Sequence, residues 1–345
     1  MAPVSRRLLT ALLFIPNLVF FAVSSGGQAL PQLADSAAAR WTLLPGDAPL
    51  PRHEHAYVKA GERFFLLGGR GSSPVKPVEV FDPATGTWTR GATPPLELHH
   101  FQAVEHGGLI YVVGAMTGGY PAEPPVPHVY IYDPAGDQWR RGPEIPEGRR
   151  RGGAGAVVHD GLIYVVAGII NGHTDGHVAW LDVFDPATGV WRALADAPRP
   201  RDHFHAAVID GRLYAAGGRR SSAGTGQSFE LTVAEVDVYD FASNRWSTLP
   251  ASSNLPTPRA GTTVAVVDGR LLVLGGESGA QRDAHAEVEA LDPATGRWTT
   301  LAPLAVGRHA TQAVVHAGRI YLAAGSRTRG ATEITSQEML AFDPR

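Results

Sequence analysis

The stretch Val183-Phe184-Asp185-Pro186-Ala187-Thr188-Gly189-Val190-Trp191 reads as two short strands joined by a tight turn. The Asp side chain can cap the turn, Pro fixes φ at the first corner, and Gly takes the left-handed position that sends the second strand back antiparallel. Asp82 with Trp88, Asp133 with Trp139, Asp240 with Trp246 and Asp292 with Trp298 repeat the same spacing. A sixth copy, Phe342-Asp343-Pro344-Arg345, has no Trp after it, whereas Trp41 stands without a preceding Asp. Leu44 follows Trp41 as Leu194, Leu249 and Leu301 follow their own Trp residues. The strand around Trp41 is therefore expected to complete the last copy.

Each copy sits in a longer unit that recurs about every 50 residues. The unit opens with an element such as Pro200-Arg201-Asp202-His203 and continues with a strand over 205–209, an Asp210-Gly211 turn and an apolar strand over 213–216 that ends in Gly217-Gly218. A variable loop leads to the Asp-turn-Trp element, so one unit makes a four-stranded antiparallel meander. Second strands such as Leu162-Ile163-Tyr164-Val165-Val166 are apolar throughout, as in sheets buried on both faces. A ring buries every sheet face, and a unit divided between the two ends of the sequence is what closing a ring requires.

These features resemble the kelch repeat. The family's Gly-Gly doublet matches Gly68-Gly69, Gly217-Gly218 and Gly275-Gly276, and the Asp and Trp positions match as above; Gly114-Ala115, Gly168-Ile169, Gly325-Ser326 and Asp240-Phe241 depart from it. The resemblance implies an all-β fold, a six-bladed kelch β-propeller over residues 41–345 with four-stranded antiparallel blades, its last blade closed by the N-terminal strand. Residues 30–40 are expected to be a linker and residues 1–29 an export signal peptide. Arg6 and Arg7 precede an apolar run over 8–23, and Gly27-Gln28-Ala29 offers small residues for cleavage. A periplasmic or secreted location follows, by the general or the twin-arginine route. Pro16 and Asn17 interrupt the run, so no stable membrane span is expected after cleavage.

The formal net charge of -3 gives no reason to expect nucleic acid as a partner. The absence of Cys excludes disulfides. It also excludes the Tyr-Cys cofactor of the copper radical oxidases, which are built on kelch-type propellers. Sialic-acid epimerases resemble this chain in size and repeat, which implies an acidic sugar as the substrate class if the chain is an enzyme.

Loops joining the blades share one face of such a ring with those after the second strands, and here they are rich in Arg and His. Arg52, Arg151, Arg201, Arg259 and Arg308 are candidates for binding an anion; the alternative is that each satisfies carbonyls between blades. Counting back a fixed distance from the Gly of each first turn gives His53, His99, Gly153, His203, Gly261 and Ala310. His53, His99 and His203 are thus expected to face one another, with His55 and His205 one level below. His100 and His309 join the ligand-binding set. Neutral His53 or His203 would serve as a general base in an acidic-sugar lyase or epimerase, with Arg201, Arg259 or Arg308 holding the carboxylate. No cofactor is expected; a transition metal on His53, His99 and His203 is the alternative use of these rings.

The leading functional expectation is an exported binding module that takes an anionic carbohydrate or a protein partner at its channel mouth. The loops 116–127 and 219–232 are expected to fold over that mouth, Glu230 to be a candidate acid or base, and Gly172-His173-Thr174-Asp175-Gly176-His177 to offer further ligands or to be a plain polar loop. Trp180 is read as blade packing or as a platform for a sugar ring.

Overall fold

The Asp-containing turns form as their residues dictate. In a computed structural model, which describes residues 40–44, 49–330 and 339–343, the carboxylates of Asp82, Asp133, Asp185 and Asp292 each accept a bond from the backbone N–H two residues on, at 2.9 Å. Gly86, Gly189 and Gly296 take the left-handed position. Asp137 and Asn244 take it in the other two turns, where their side chains also accept from the hydroxyls of Tyr132 and Tyr239. At Asp240, which lacks the following Pro, the cap shifts by one residue, to the N–H and hydroxyl of Ser243.

Five four-stranded antiparallel sheets follow one another along the sequence. Blade 1 spans residues 53–90, blade 2 residues 103–144, blade 3 residues 155–193, blade 4 residues 206–248 and blade 5 residues 263–300. The sixth sheet joins distant parts of the sequence: the strand Arg40–Leu43 pairs with Met339–Asp343, beside Arg319–Ala323 and Val314–His316. Trp41 lies opposite Phe342 in that ladder, so the expected closure is present. The expected signal and linker, residues 1–39, lie outside the described residues.

Apolar clusters lie between successive sheets. One packs Tyr57, Phe64 and Phe81 of blade 1 against Val314 and Tyr321 of blade 6. Another sets Phe65 and Leu67 of blade 1 against Ile110 and Val112 of blade 2. Second-strand residues such as Leu66, Ile163, Leu213 and Leu272 are completely buried, which is why those strands are apolar on both faces.

A closed circle of six backbone hydrogen bonds surrounds the axis. Glu54 N donates to Ala310 O, Ala310 to Gly261, Gly261 to His203, His203 to Gly153, Gly153 to His100, and His100 back to Glu54, at 2.6–3.1 Å. All six residues have φ between 54° and 61°. A left-handed conformation at one residue per blade turns each N–H and C=O sideways to the neighbouring blades, and two of the six positions are Gly, which adopts it without strain.

Candidate functional site at the channel mouth

The circle corrects the register of the expected histidines. Its members are Glu54, His100, Gly153, His203, Gly261 and Ala310, so His53 and His99 each lie one residue before it. Blades 1 and 2 place a Gly first in their two-residue turns, at Gly61 and Gly107, whereas blades 3 to 6 place it second, at Gly161, Gly211, Gly269 and Gly318. Counting from the Gly therefore slips by one. His55 and His205 are not level with each other either. His55 bonds the Ala323 carbonyl through Nε2, between blades 1 and 6, while His205 contacts Thr263 Oγ1 at 3.3 Å.

The expected anion-binding arginines are part of the blades. Arg52, Arg151, Arg201, Arg259 and Arg308 are almost completely buried. Each donates to the carbonyl sixteen residues ahead, from Gly68, Ala167, Gly217, Gly275 and Ala324 respectively. Four of them also pair with a third-strand acid, namely Glu79, Asp182, Asp237 and Glu289 at 2.5–2.7 Å. Burial lowers all five pKa values, yet a guanidinium stays charged at neutral pH. These side chains brace the blades instead of lining the mouth. Trp180 is likewise structural, stacked under Arg149 with the guanidinium carbon 4.3 Å from its ring centre.

A cavity of about 490 Å³ opens above the circle. Glu54 and His100 form part of its floor, and His53, Arg70, His173, Arg219, Glu277 and His309 stand around it. Arg70, Arg219 and Glu277 come from the ends of the second strands, where they pair with the residues just before the circle. The loops 116–127 and 219–232 do approach each other over this space. Tyr120 reaches Ser228 with its hydroxyl at 3.3 Å, and Phe229 lies across the same cavity. Glu230 is exposed and bonds the N–H of Phe229.

His173 rides on a hairpin, Ile169–Asn171 with Asp175–His177, that blade 3 inserts toward the axis. Its backbone is fixed from both sides, by the Pro121 carbonyl and the Ala223 N–H. The acids Glu54, Glu123, Asp202 and Glu277 are the residues that sequence reading missed. Glu54 lies between His53 and His55, and Asp202 between Arg201 and His203, so the signal was present in stretches read for cations alone. The mouth is consequently mixed in charge: Arg70 pairs with Glu123, Arg219 with Glu277 at 2.5 Å, and Asp202 with His203 at 2.5 Å.

Burial pushes His53 down to about 4 and His203 down to about 4, the latter helped by Arg219. Burial also acts against charge on His100, but the carboxylates of Glu54 and Glu123 outweigh it and raise that pKa. Glu123, Asp202 and Glu277 are held at about 2, because their histidine and arginine partners overcome the burial that favours the neutral acid. His53 Nε2, His203 Nε2 and His309 Nδ1 are buried with no hydrogen-bond partner among the described residues. His99 is buried in the wall, its Nε2 on the Gly118 carbonyl and its Nδ1 2.5 Å from His100 Nδ1.

Below the circle two glutamines cross the channel. Gln102 accepts from the N–H groups of Ala156 and Ala206 and donates to the Ala206 carbonyl, tying blade 2 to blades 3 and 4. Gln312 makes a matching pair of bonds to Ala103 from the opposite side. The mouth cavity is thus closed off underneath by amide bonds.

Known proteins fit this architecture. The kelch-repeats domain described for KLHDC2, KLHL20 and DRC7 matches residues 103–325, and the kelch motif matches residues 51–95. Kelch-like protein terF of Aspergillus terreus is 31% identical over 335 residues, covering 90% of this chain and 70% of that protein. Kelch-like protein 23 of Mus musculus is 26% identical over 85% of this chain, which spans about half (49%) of its length. The solved "Structure of YjhT" superposes with a TM-score of 0.68 over 86% of this chain and 96% of that one, at 17% identity, a likeness of fold alone. With four-stranded sheets, repeated Asp turns and a matching family domain over most of its length, the chain belongs to the kelch-repeat β-propeller family.

Proposed function

We propose that the protein is an exported binding module that receives a small polar ligand of the carbohydrate class in the mouth cavity. The observation that carries this reading is the cavity itself: about 490 Å³, with Tyr120 and Phe229 as aromatic walls above a floor of hydrogen-bonding groups. That size and that mixture suit a small ligand held by a few placed polar contacts. An acidic sugar would set its carboxylate against Arg70, whose side chain remains partly exposed while it pairs with Glu123. Membership of the kelch family supports a binding role, including protein interaction, without specifying the ligand. Export is supported by Arg6-Arg7 and the apolar run after them. Among the described residues no helix is long and apolar enough to cross a membrane.

Saturation-transfer NMR with glucuronate, sialic acid and glucose tests the reading. Acidic sugars should receive saturation, Tyr120→Ala should abolish it, and Arg70→Gln should remove the preference over glucose. No transfer to any of the three, or transfer that both variants leave unchanged, would refute the proposal.

A second reading, an acidic-sugar lyase or epimerase, is favoured by one specific observation. His53 and His203 are neutral at pH 7 and each keeps a buried nitrogen without a partner, as a general base requires. Ultraviolet absorbance of unsaturated products from uronate polymers and NMR exchange of sialic-acid anomers decide it. Silence in both, with intact sugar bound, leaves the binding module.

A further inference from the structure

His100, His173 and His203 make up a cluster at the edge of the cavity, which His100 and His173 line. Two belong to the backbone circle and one to the inserted hairpin, so three separate elements bring them together. One nitrogen from each ring lies within 4.8 Å of the other two, and the ring centres are 4.5–5.1 Å apart. All three residues are buried.

The outer nitrogen of each ring is already assigned. His203 Nδ1 lies 2.5 Å from Asp202 Oδ1, and His173 Nδ1 lies on Glu123 Oε2. A carboxylate accepts, so both rings carry their proton on Nδ1. His100 reaches the same state through a relay. The Gly118 carbonyl takes the Nε2 proton of His99, which makes His99 Nδ1 an acceptor for the Nδ1 proton of His100. His173 and His203 are thereby left with a lone pair on Nε2. That of His203 is buried with no partner among the described residues, whereas His100 Nε2 donates to the Glu54 carboxylate at 3.3 Å, and a metal would take the place of that proton.

An imidazole whose far nitrogen donates to a carboxylate or another acceptor is oriented and made more basic, which is how metal-binding histidines are supported. The geometry points to a divalent transition-metal site, of the zinc or cobalt type, ligated by Nε2 of His100, His173 and His203. Three imidazoles leave a fourth position, as in catalytic zinc sites, and His100 and His173 border the large cavity, so that position faces the space where a small molecule enters. Tetrahedral bonds of about 2.0–2.1 Å set nitrogens about 3.3 Å apart, which each ring reaches by moving less than about 1 Å. The carboxylates of Glu54, Glu123 and Asp202 supply negative charge around the cluster, and Arg70 and Arg219 are each engaged by a carboxylate. The inference goes beyond the proposed ligand binding, and its test needs no sugar.

The full chain, purified without an affinity tag and stripped with a chelator, is titrated with Co(II) and followed by visible absorbance. We expect one equivalent to bind with the intense d–d bands of a four-coordinate site, and Zn(II) to displace it. His173→Asn and His203→Asn should remove the bands, and Asp202→Asn should weaken Co(II) affinity by about 10–100-fold. His309→Asn, a mouth histidine outside the cluster, should leave it unchanged. Circular dichroism and melting check each variant; His173 sits on a hairpin outside the six blade sheets, so its variant carries the test if the His203 variant does not fold. Absence of d–d bands in the wild type, or bands that persist in a folded His173→Asn variant, overturns the site.

Discussion

Trp41 donates its indole N–H to the Ala302 carbonyl at 3.0 Å, across 261 positions of sequence. The same bond links Trp139 to Ala92, Trp246 to Ala195 and Trp298 to Ser253. In every case the outer strand of one blade grips the segment leaving the blade before it. Trp41 therefore does for the last sheet what the repeat's own Trp does in blades 2, 4 and 5, and the ring closes by reusing that contact between blades.

Trp41→Ala removes that bond together with a side chain that is 9% exposed and packed against Leu301, Leu304 and Ile320. The expected loss is about 3–5 kcal/mol, the range for truncating a buried aromatic, read as a lower urea midpoint with accelerated proteolysis of the last blade. A loss below about 1 kcal/mol would mean that the closing strand contributes little to the ring.

The arginines make a separate prediction, because blade 2 has already replaced one of their pairs. Leu98 and Tyr130 occupy the positions held in blade 5 by Arg259 and Glu289. Arg259→Leu alone leaves a buried carboxylate without its cation and should cost about 3–5 kcal/mol. Adding Glu289→Tyr should restore most of that, with the proposed sugar binding at the mouth unaffected. If the double variant is as unstable as the single, the apolar pair is not a substitute for the ionic one. Loss of ligand at unchanged stability would return Arg259 to the binding site.

The fold was legible because its signals recur: Asp turns, Trp anchors and apolar second strands each state the same geometry several times. The site was legible only in part. Gly marks a turn but not its position within the turn, and this displaced His53 and His99 by one residue while leaving His203 in place. His173 was only a candidate, since nothing local tells that Pro121 and Ala223 will hold its hairpin over the axis. Arg52 and its counterparts read equally as anion ligands or as braces between strands, and the carbonyls that decide it lie sixteen residues downstream. The acids escaped because a pattern sought for cations has no place for Glu54 or Asp202.

Gln102 offers a test of the channel floor. Gln102→Leu keeps the approximate volume but leaves the buried N–H groups of Ala156 and Ala206 without their acceptor, at about 1–3 kcal/mol for each orphaned group. Hydrogen exchange should show these two amides losing protection ahead of the rest of their strands. Unchanged protection at both would mean that the inner strands hold their spacing without the glutamine.

His53 makes the pH dependence calculable. Its folded pKa of about 4 lies below the ordinary histidine value of 6.5, chiefly through burial, with His309, His100 and Arg70 adding to the shift and Glu54 opposing it. Between those two values the unfolded chain binds the proton that the folded chain refuses, so stability falls as the pH drops from about 6.5 toward 4. Above about pH 7 this residue contributes no slope. Between pH 7 and pH 5 the expected loss from His53 is about 2 kcal/mol, at about 1.4 kcal/mol for each pKa unit. His53→Gln has no proton to gain, and its stability should decline less than that of the wild type over the same interval. Urea unfolding of both proteins at pH 7, 6 and 5 gives the difference directly; parallel declines would show that His53 is as free to take up a proton in the folded protein as in the unfolded one.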